Sequence, residues 1–331
     1  MNVKRAGGFV SRRPFLSVTL LCLALLVITV LGFGFGAATA DDADLTPEEL
    51  AALAAECPVK FSNPVFLEDV LEQLHCQATD LTEERLLEVT SINISGDNRL
   101  DDVSDLTLFP NLETVVIKGC GVRKIPDMSG FKDLRTVNFS GNRISSLKTL
   151  SRATGVEELI LDHNRIRDIS PLAGMQKLQK LNLAYNQVKD VQVIAQLESL
   201  QEVDLNFNSV AEVPFLGKTD IVSILLEENY LTDLSFLEGN EKIVTLNLSY
   251  NGIKDISVLR TCSSLEELYL YGYRTMDLSP LRDLEGFHSI FLSESFERED
   301  NVDFMKDHFK AADKYTKIYL IALQRGIETY E

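Results

Sequence analysis

Acidic residues are missing from the first 40 positions of this 331-residue chain, and no apolar run long enough to cross a bilayer follows them. Within that segment Lys4, Arg5, Arg12 and Arg13 lead into the apolar stretch from Phe15 to Phe35. Ala38-Thr39-Ala40 then offers the small-x-small pattern that signal peptidase reads, and Asp41-Asp42 turns the sequence acidic. Residues 1–40 are expected to be a signal peptide cleaved after Ala40. A run of about 21 apolar residues is also long enough to stay as an uncleaved anchor. On either reading the body is exported, to the cell surface or beyond it, and the mature body itself does not insert into a membrane. Cys22 follows Leu21 rather than a small residue, which argues against a lipoprotein anchor.

Basic residues are scarce in that body. Of 32 Lys and Arg and 50 Asp and Glu, four of the former and none of the latter lie in the first 40 positions, so 28 positive charges face 50 negative ones. Such a surface repels phosphate backbones and anionic lipid, which excludes nucleic acid as an expected partner. Catalytic signatures are lacking too. There is no P-loop, no G-x-S-x-G and no C-x-x-C, and His75, His163, His288 and His308 share no metal-ligand spacing. The acidic stretch 97–105, DNRLDDVSD, lacks the order of an EF-hand loop. No catalytic residue, cofactor or metal is expected.

What the chain has instead is a repeat. Residues 156–177 (VEELILDHNRIRDISPLAGMQK), 178–199 (LQKLNLAYNQVKDVQVIAQLES) and 243–264 (IVTLNLSYNGIKDISVLRTCSS) share the template L-x-x-L-x-L-x-x-N-x-I, with Val or Ile in the aliphatic places. Ten such segments begin at Val89, Leu112, Leu134, Val156, Leu178, Leu200, Ile221, Ile243, Leu265 and Phe287. The L-x-L centre predicts a short strand whose alternate side chains enter the body. Stacked turns then give a leucine-rich-repeat solenoid with a curved parallel β-sheet, an α/β architecture. Asn142, Asn164, Asn186, Asn208, Asn229 and Asn251 fill the ninth place, where a sharp turn leaves backbone groups that a short amide can satisfy. D-I-S-P-L at 168–172 and D-L-S-P-L at 277–281 open a helical turn in each second half, with Ser170 or Ser279 placed to cap it and proline at the first position.

The period together with the outer D-I-S-P-L resembles the internalin class of bacterial leucine-rich-repeat proteins, over roughly residues 58–296. The stretches FSNPVFLEDVLEQL (61–74) and DLTEERLLEVTSINISG (80–96) are similar to that family's helical cap. The resemblance implies a bacterial surface protein that binds another protein. No L-P-x-T-G signal, immunoglobulin-like stretch or wall-binding module is found, so the invasin role of the best-known members does not carry over.

The expected layout is a signal peptide (1–40), an N-terminal helical cap (41–88), leucine-rich repeats (89–296) and a C-terminal cap (297–331). Thr46-Pro47-Glu48-Glu49 has the form of a capping box. Cys57 and Cys76 bracket the cap helix expected near 64–75, and in an exported chain they read as a disulfide; two free thiols are the alternative. Cys120 in an asparagine place and Cys262 in a core place are expected to be buried and inert. At the other end, 301–314 has helical spacing and 315–323 restores a strand pattern. Three glycosylation-like tripeptides, at Asn93, Asn138 and Asn247, occupy identical template places, so the repeat itself generates them.

Outward residues lie at the third, fifth, seventh and eighth places. In the first three turns these are mostly small or polar; from the fourth onward aromatic residues mingle with acids. The candidate ligand-binding residues are Asp162, Tyr185, Asp204, Phe207, Glu227, Glu228, Tyr250, Tyr269 and Tyr271, centred near Tyr185, Phe207, Tyr250 and Tyr269 on the concave face. The acids favour a basic protein partner. In YLYGYRT (269–275) Tyr273 stands where six earlier turns put asparagine, read as the ladder giving way to aromatic surface; packing of Tyr273 against the terminal helix is the alternative. Two rival functions stand beside a non-catalytic binding protein: an intracellular repeat protein of the phosphatase-regulator type, and an enzyme with its activity in the terminal segments.

Overall fold

In a computed structural model the described residues are 44–293, apart from 97, 215, 217 and 218. The expected signal peptide, the C-terminal cap and its helix and strand lie outside them. Three short helices open the described chain: α1 (Pro47–Glu56), α2 (Pro64–Leu74) and α3 (Glu83–Leu87). The capping box on α1 is present, with Glu49 N–H donating to Thr46 Oγ1 (3.3 Å) and Thr46 N–H to Glu49 Oε2 (2.8 Å). Asn63 caps α2 through Val65 N–H at 3.0 Å. Phe66, Leu67 and Val70 of α2 are fully buried against the first repeat.

Ten strands follow: β1 (Ser91–Ser95), β2 (Thr114–Lys118), β3 (Thr136–Asn138), β4 (Glu158–Ile160), β5 (Lys180–Asn182), β6 (Glu202–Asp204), β7 (Ser223–Leu225), β8 (Thr245–Asn247), β9 (Glu267–Leu270) and β10 (Ser289–Leu292). They form one curved parallel sheet in sequence order. The register pairs each template place with the same place of the next turn: Ile92 with Val115, Leu159 with Leu181, Leu246 with Leu268. Because side chains alternate along a strand, fourth-place residues such as Leu159, Leu246 and Leu268 go inward, and all three are fully buried. The free edge of β1 is covered by α2. Gln73 donates to Ser91 O (2.8 Å) and accepts from Asn93 N–H (2.6 Å), so one amide side chain stands in for a missing strand.

The asparagine ladder is complete where the sequence places it. Asn164 donates to Phe139 O, Leu161 O and Asp162 O (2.8–3.1 Å) and accepts from Ile144 N–H at 2.9 Å, which ties each turn to the one before. Tyr273 corrects the expectation of a lapsed ladder. Its side chain is buried and its hydroxyl donates to Leu248 O at 3.0 Å. Asn142 serves the equivalent carbonyl six turns earlier, donating to Ile117 O while it also accepts from Cys120 and Val122 N–H. The phenol therefore continues the ladder with different chemistry, and burial pushes its pKa up to about 12. Tyr273 adds nothing to the exposed surface.

One further expectation changes. The outer helical turns, such as Ser170–Gly174 and Ser279–Leu281, are 3-10 turns, and their serines do not cap them. Asp168 and Asp277 do, each accepting from the N–H of Ser170 or Ser279 at 2.9 Å. An Asx side chain reaches the N–H two residues on, which is where the first free donor of these turns lies. Cys57 and Cys76 flank α2 as expected and stand as free, half-buried thiols. Burial raises the pKa of both. Cys120 and Cys262 are fully buried, and burial raises Cys262 to about 11.

Candidate binding face

The eighth place of the template is where the geometry departs most from what its residues prefer. At that place the N–H donates to the seventh-place carbonyl of the next turn, as in Gly141 to Asp162 (2.9 Å), Tyr185 to Asn206 (2.9 Å) and Tyr250 to Tyr271 (2.8 Å). The bond is made with the backbone left-handed. Gly96, Gly119, Gly141 and Gly272 have φ between +63° and +85°; His163, Tyr185, Phe207, Glu228 and Tyr250 have φ between +53° and +55°. Glycine is comfortable there, whereas a residue with a Cβ forfeits roughly 1–2 kcal/mol. Five consecutive turns carry a large side chain there despite that cost.

Those side chains are organised. The rings of His163 and Tyr185 stack at 4.2 Å between centroids, and Tyr185 stacks on Phe207 at 4.2 Å with 9° between planes. Tyr250 lies over Gly272, whose Cβ, were it present, would fall 2.6 Å from the Tyr250 ring, so glycine is required there. Tyr185 and Tyr250 remain 44% and 48% exposed. A second stack occupies the fifth places, with Tyr269 and Phe291 at 4.2 Å and 5°. The nine candidate residues thus do not form one cluster. Tyr185 and Phe207 belong to one stack and Tyr269 to another, with Tyr250 alone over its glycine and Tyr271 half-buried in the seventh place of β9's turn.

The acids occupy the same side of the sheet. Asp162 Oδ2 meets His163 Nδ1 at 2.9 Å, and Glu227 accepts from Asn247 Nδ2 at 3.1 Å. Asp204 accepts Asn206 N–H at 3.0 Å, the bond that Asn138, Asn182 and Asn247 make in their own turns. Burial raises the Asp204 pKa, and the negative charges of Asp162 and Glu227 raise it further. Glu228 is exposed at its left-handed position. Among the described residues no group of three His, Cys, Asp or Glu is placed to hold a metal.

Comparison with known proteins supports the architecture. The leucine rich repeat family matches residues 154–210, and a two-copy leucine rich repeat description matches 241–283. An internalin (inlF) from Listeria monocytogenes superposes with TM-score 0.58 at 24% identity, over 69% of this chain and 74% of that one. Internalin C2 (inlC2) from the same organism gives TM-score 0.54 at 28% identity, over 56% of this chain and 83% of that one. The fold is that of a leucine-rich-repeat protein, and it is internalin-like. The functional domain of InlJ from Listeria monocytogenes, described as including a cysteine ladder, gives TM-score 0.52 at 17% identity, over 75% of this chain and 62% of that one. No curated protein matches this leucine-rich-repeat chain by sequence.

Within these repeats, sequence reasoning left His163 and Phe291, which the structure places in the two stacks, out of the candidate residues and missed the left-handed turn altogether. The signal for the turn was present. Four glycines at one template place, Gly96, Gly119, Gly141 and Gly272, mark a position that requires φ > 0.

Proposed function

We propose that this chain is an exported, non-catalytic binding protein that takes a protein ligand on the concave side of its sheet, across turns four to ten. One observation carries the reading: five successive turns keep His163, Tyr185, Phe207, Glu228 and Tyr250 in a backbone conformation suited to glycine. Ring stacking returns only about 0.5–1.5 kcal/mol of that strain, while exposed tyrosine and phenylalanine supply large contact area at small entropic cost. Leucine-rich-repeat domains of this kind commonly mediate protein–protein interaction. Export follows from the basic, apolar, Ala-x-Ala order of the first 40 residues. No observation favours an enzyme or an intracellular regulator.

The test is retention of a partner by the exported form, compared between Tyr250→Ala and Leu246→Ala. Loss of retention in Tyr250→Ala at unchanged thermal stability supports the face; normal retention by Tyr250→Ala and Tyr185→Ala places the ligand elsewhere. Fractionation tests export, with the chain expected outside the cytoplasmic membrane and beginning at Asp41. In that oxidising setting the Cys57 and Cys76 thiols are proposed to close into a disulfide pinning α2, worth about 3 kcal/mol for a loop of this size. Non-reducing peptide mapping should recover the two cap peptides linked; rapid labelling of either thiol in the native exported protein would show them free.

A further inference from the structure

The stack His163–Tyr185–Phe207 decides what kind of ligand the face suits. Rings stacked face on face at 4.2 Å have spent the faces between them, so Tyr185 presents only its edge to solvent. A sugar ring, which packs on a free aromatic face, finds none at Tyr185. An aromatic edge carries the positive end of the ring quadrupole, so the rings offer apolar area here rather than attraction for a cation.

The attraction for a cation comes from the positions beside the stack. In turns four to eight the fifth, seventh and eighth places hold four carboxylates (Asp162, Asp204, Glu227 and Glu228) and no lysine or arginine. Lys180, in the third place of turn five, is already engaged by Glu202 at 2.9 Å. Ala184 in the seventh place is small and buried, which lowers the floor beside Tyr185, between Asp162 in the turn before and Asn206 in the turn after.

We propose that the face receives a lysine- or arginine-bearing segment of a protein partner. Its aliphatic stem lies along the edges of Tyr185 and Phe207, and its cationic head sits among Asp162, Asp204 and Glu227. This rests on the binding reading above and names the partner's chemistry. Burial and the negative charges of Asp162 and Glu227 raise the Asp204 carboxyl, so a cation seated beside it would favour its ionised form.

The experiment uses the exported protein and a short labelled peptide of alternating lysine and glycine-serine, with a chitin oligosaccharide as the competing class. Asp204→Asn is the informative variant. Asparagine fills the same place at Asn138, Asn182 and Asn247 with the same N–H bond, so the fold is kept. Its control is Glu241→Gln, an equal loss of charge at an exposed position outside those places. The expected result is at least a tenfold loss of peptide affinity for Asp204→Asn and less than twofold for Glu241→Gln. Equal losses in the two variants would reduce the effect to general charge and overturn the cation seat, as would oligosaccharide binding that Tyr185→Ala abolishes. Failure of the broader reading looks different. A partner from the retention experiment that tolerates Asp204→Asn but not Tyr185→Ala overturns the seat and leaves the face standing. One that tolerates Tyr185→Ala and Phe207→Ala removes the face itself.

Discussion

Turns one to three and turns four to eight share one core, one ladder direction and one left-handed corner, yet they fill that corner differently. The early turns use Gly96, Gly119 and Gly141; the later ones use His163, Tyr185, Phe207, Glu228 and Tyr250. At roughly 1 kcal/mol or more per Cβ in this conformation, the later turns forgo on the order of 5 kcal/mol, comparable to the net stability of a typical domain. The early turns take the residue that a left-handed backbone favours. The later turns carry large side chains there, which the proposed function reads as a displayed surface.

If that contrast is confined to the surface, the interiors of the two regions should respond alike. Leu112→Ala in the second turn and Leu181→Ala in the fifth remove almost fully buried side chains, and each should cost about 2–5 kcal/mol in urea unfolding. A large cost in one region only would mean that the regions differ in packing as well as in display.

Tyr273 sharpens the comparison at the far end of the ladder. Tyr273→Phe keeps the ring but removes the hydroxyl that donates to Leu248 O, which then keeps only the Asn251 Nδ2 donor at 3.1 Å. A loss of about 0.5–1.5 kcal/mol is expected. Because the folded phenol is raised to about 12 from an ordinary value near 10, its contribution is complete below pH 10 and declines as pH rises toward 12. The Phe variant should lack that alkaline decline, as a pH series of unfolding midpoints would show.

The corner itself can be exchanged in both directions. Glu228→Gly should stabilise by up to about 1 kcal/mol, since glycine relieves the left-handed strain at some entropic cost in the unfolded chain. Gly141→Ala should destabilise by about 1 kcal/mol; its Cβ would stand 3.4 Å from Gly119, in ordinary contact, so strain rather than collision sets the value. Chemical denaturation of both variants checks the pair, and equal signs would break the comparison.

The smallest expected effect lies on the outer turns and should not distinguish the regions. Serine hydrogen bonds hold the carboxyls of Asp127, Asp168, Asp233 and Asp277 below their ordinary range, through Ser129, Ser170, Ser235 and Ser279. A lowered folded pKa gives stability that is present above the unfolded pKa, near 4, and is lost as pH falls below it. These groups are almost fully exposed, so the acid decline should be shallow. Thermal melts of Asp168→Ala from pH 5 to pH 3 should show a slightly flatter profile than the parent chain.

Most of the fold was legible because a repeat reports each feature many times. Alternation within L-x-L fixed the faces of ten strands, and six asparagines announced the ladder. What escaped was whatever depends on backbone conformation or on one atom's reach. Nothing in the letter Y at position 273 says that its hydroxyl will fall where an amide nitrogen usually sits. The aspartate before each outer turn was read as part of a motif, while its carboxylate does the capping that serine was expected to do. The aromatic residues of the face were visible, but their division into two stacks was not, because stacking depends on how neighbouring turns align rather than on composition.

The central claim, that the later corners are kept for binding and not for folding, is tested most directly by the double variant Tyr185→Gly with Phe207→Gly. Unfolding free energy and partner retention would be measured on the same preparation. The account predicts stability equal to or above that of the parent chain, since strain relief offsets about 0.5–1.5 kcal/mol of lost stacking, together with loss of retention. Retention preserved in a clearly less stable protein would contradict it, and would make the stack a device of folding.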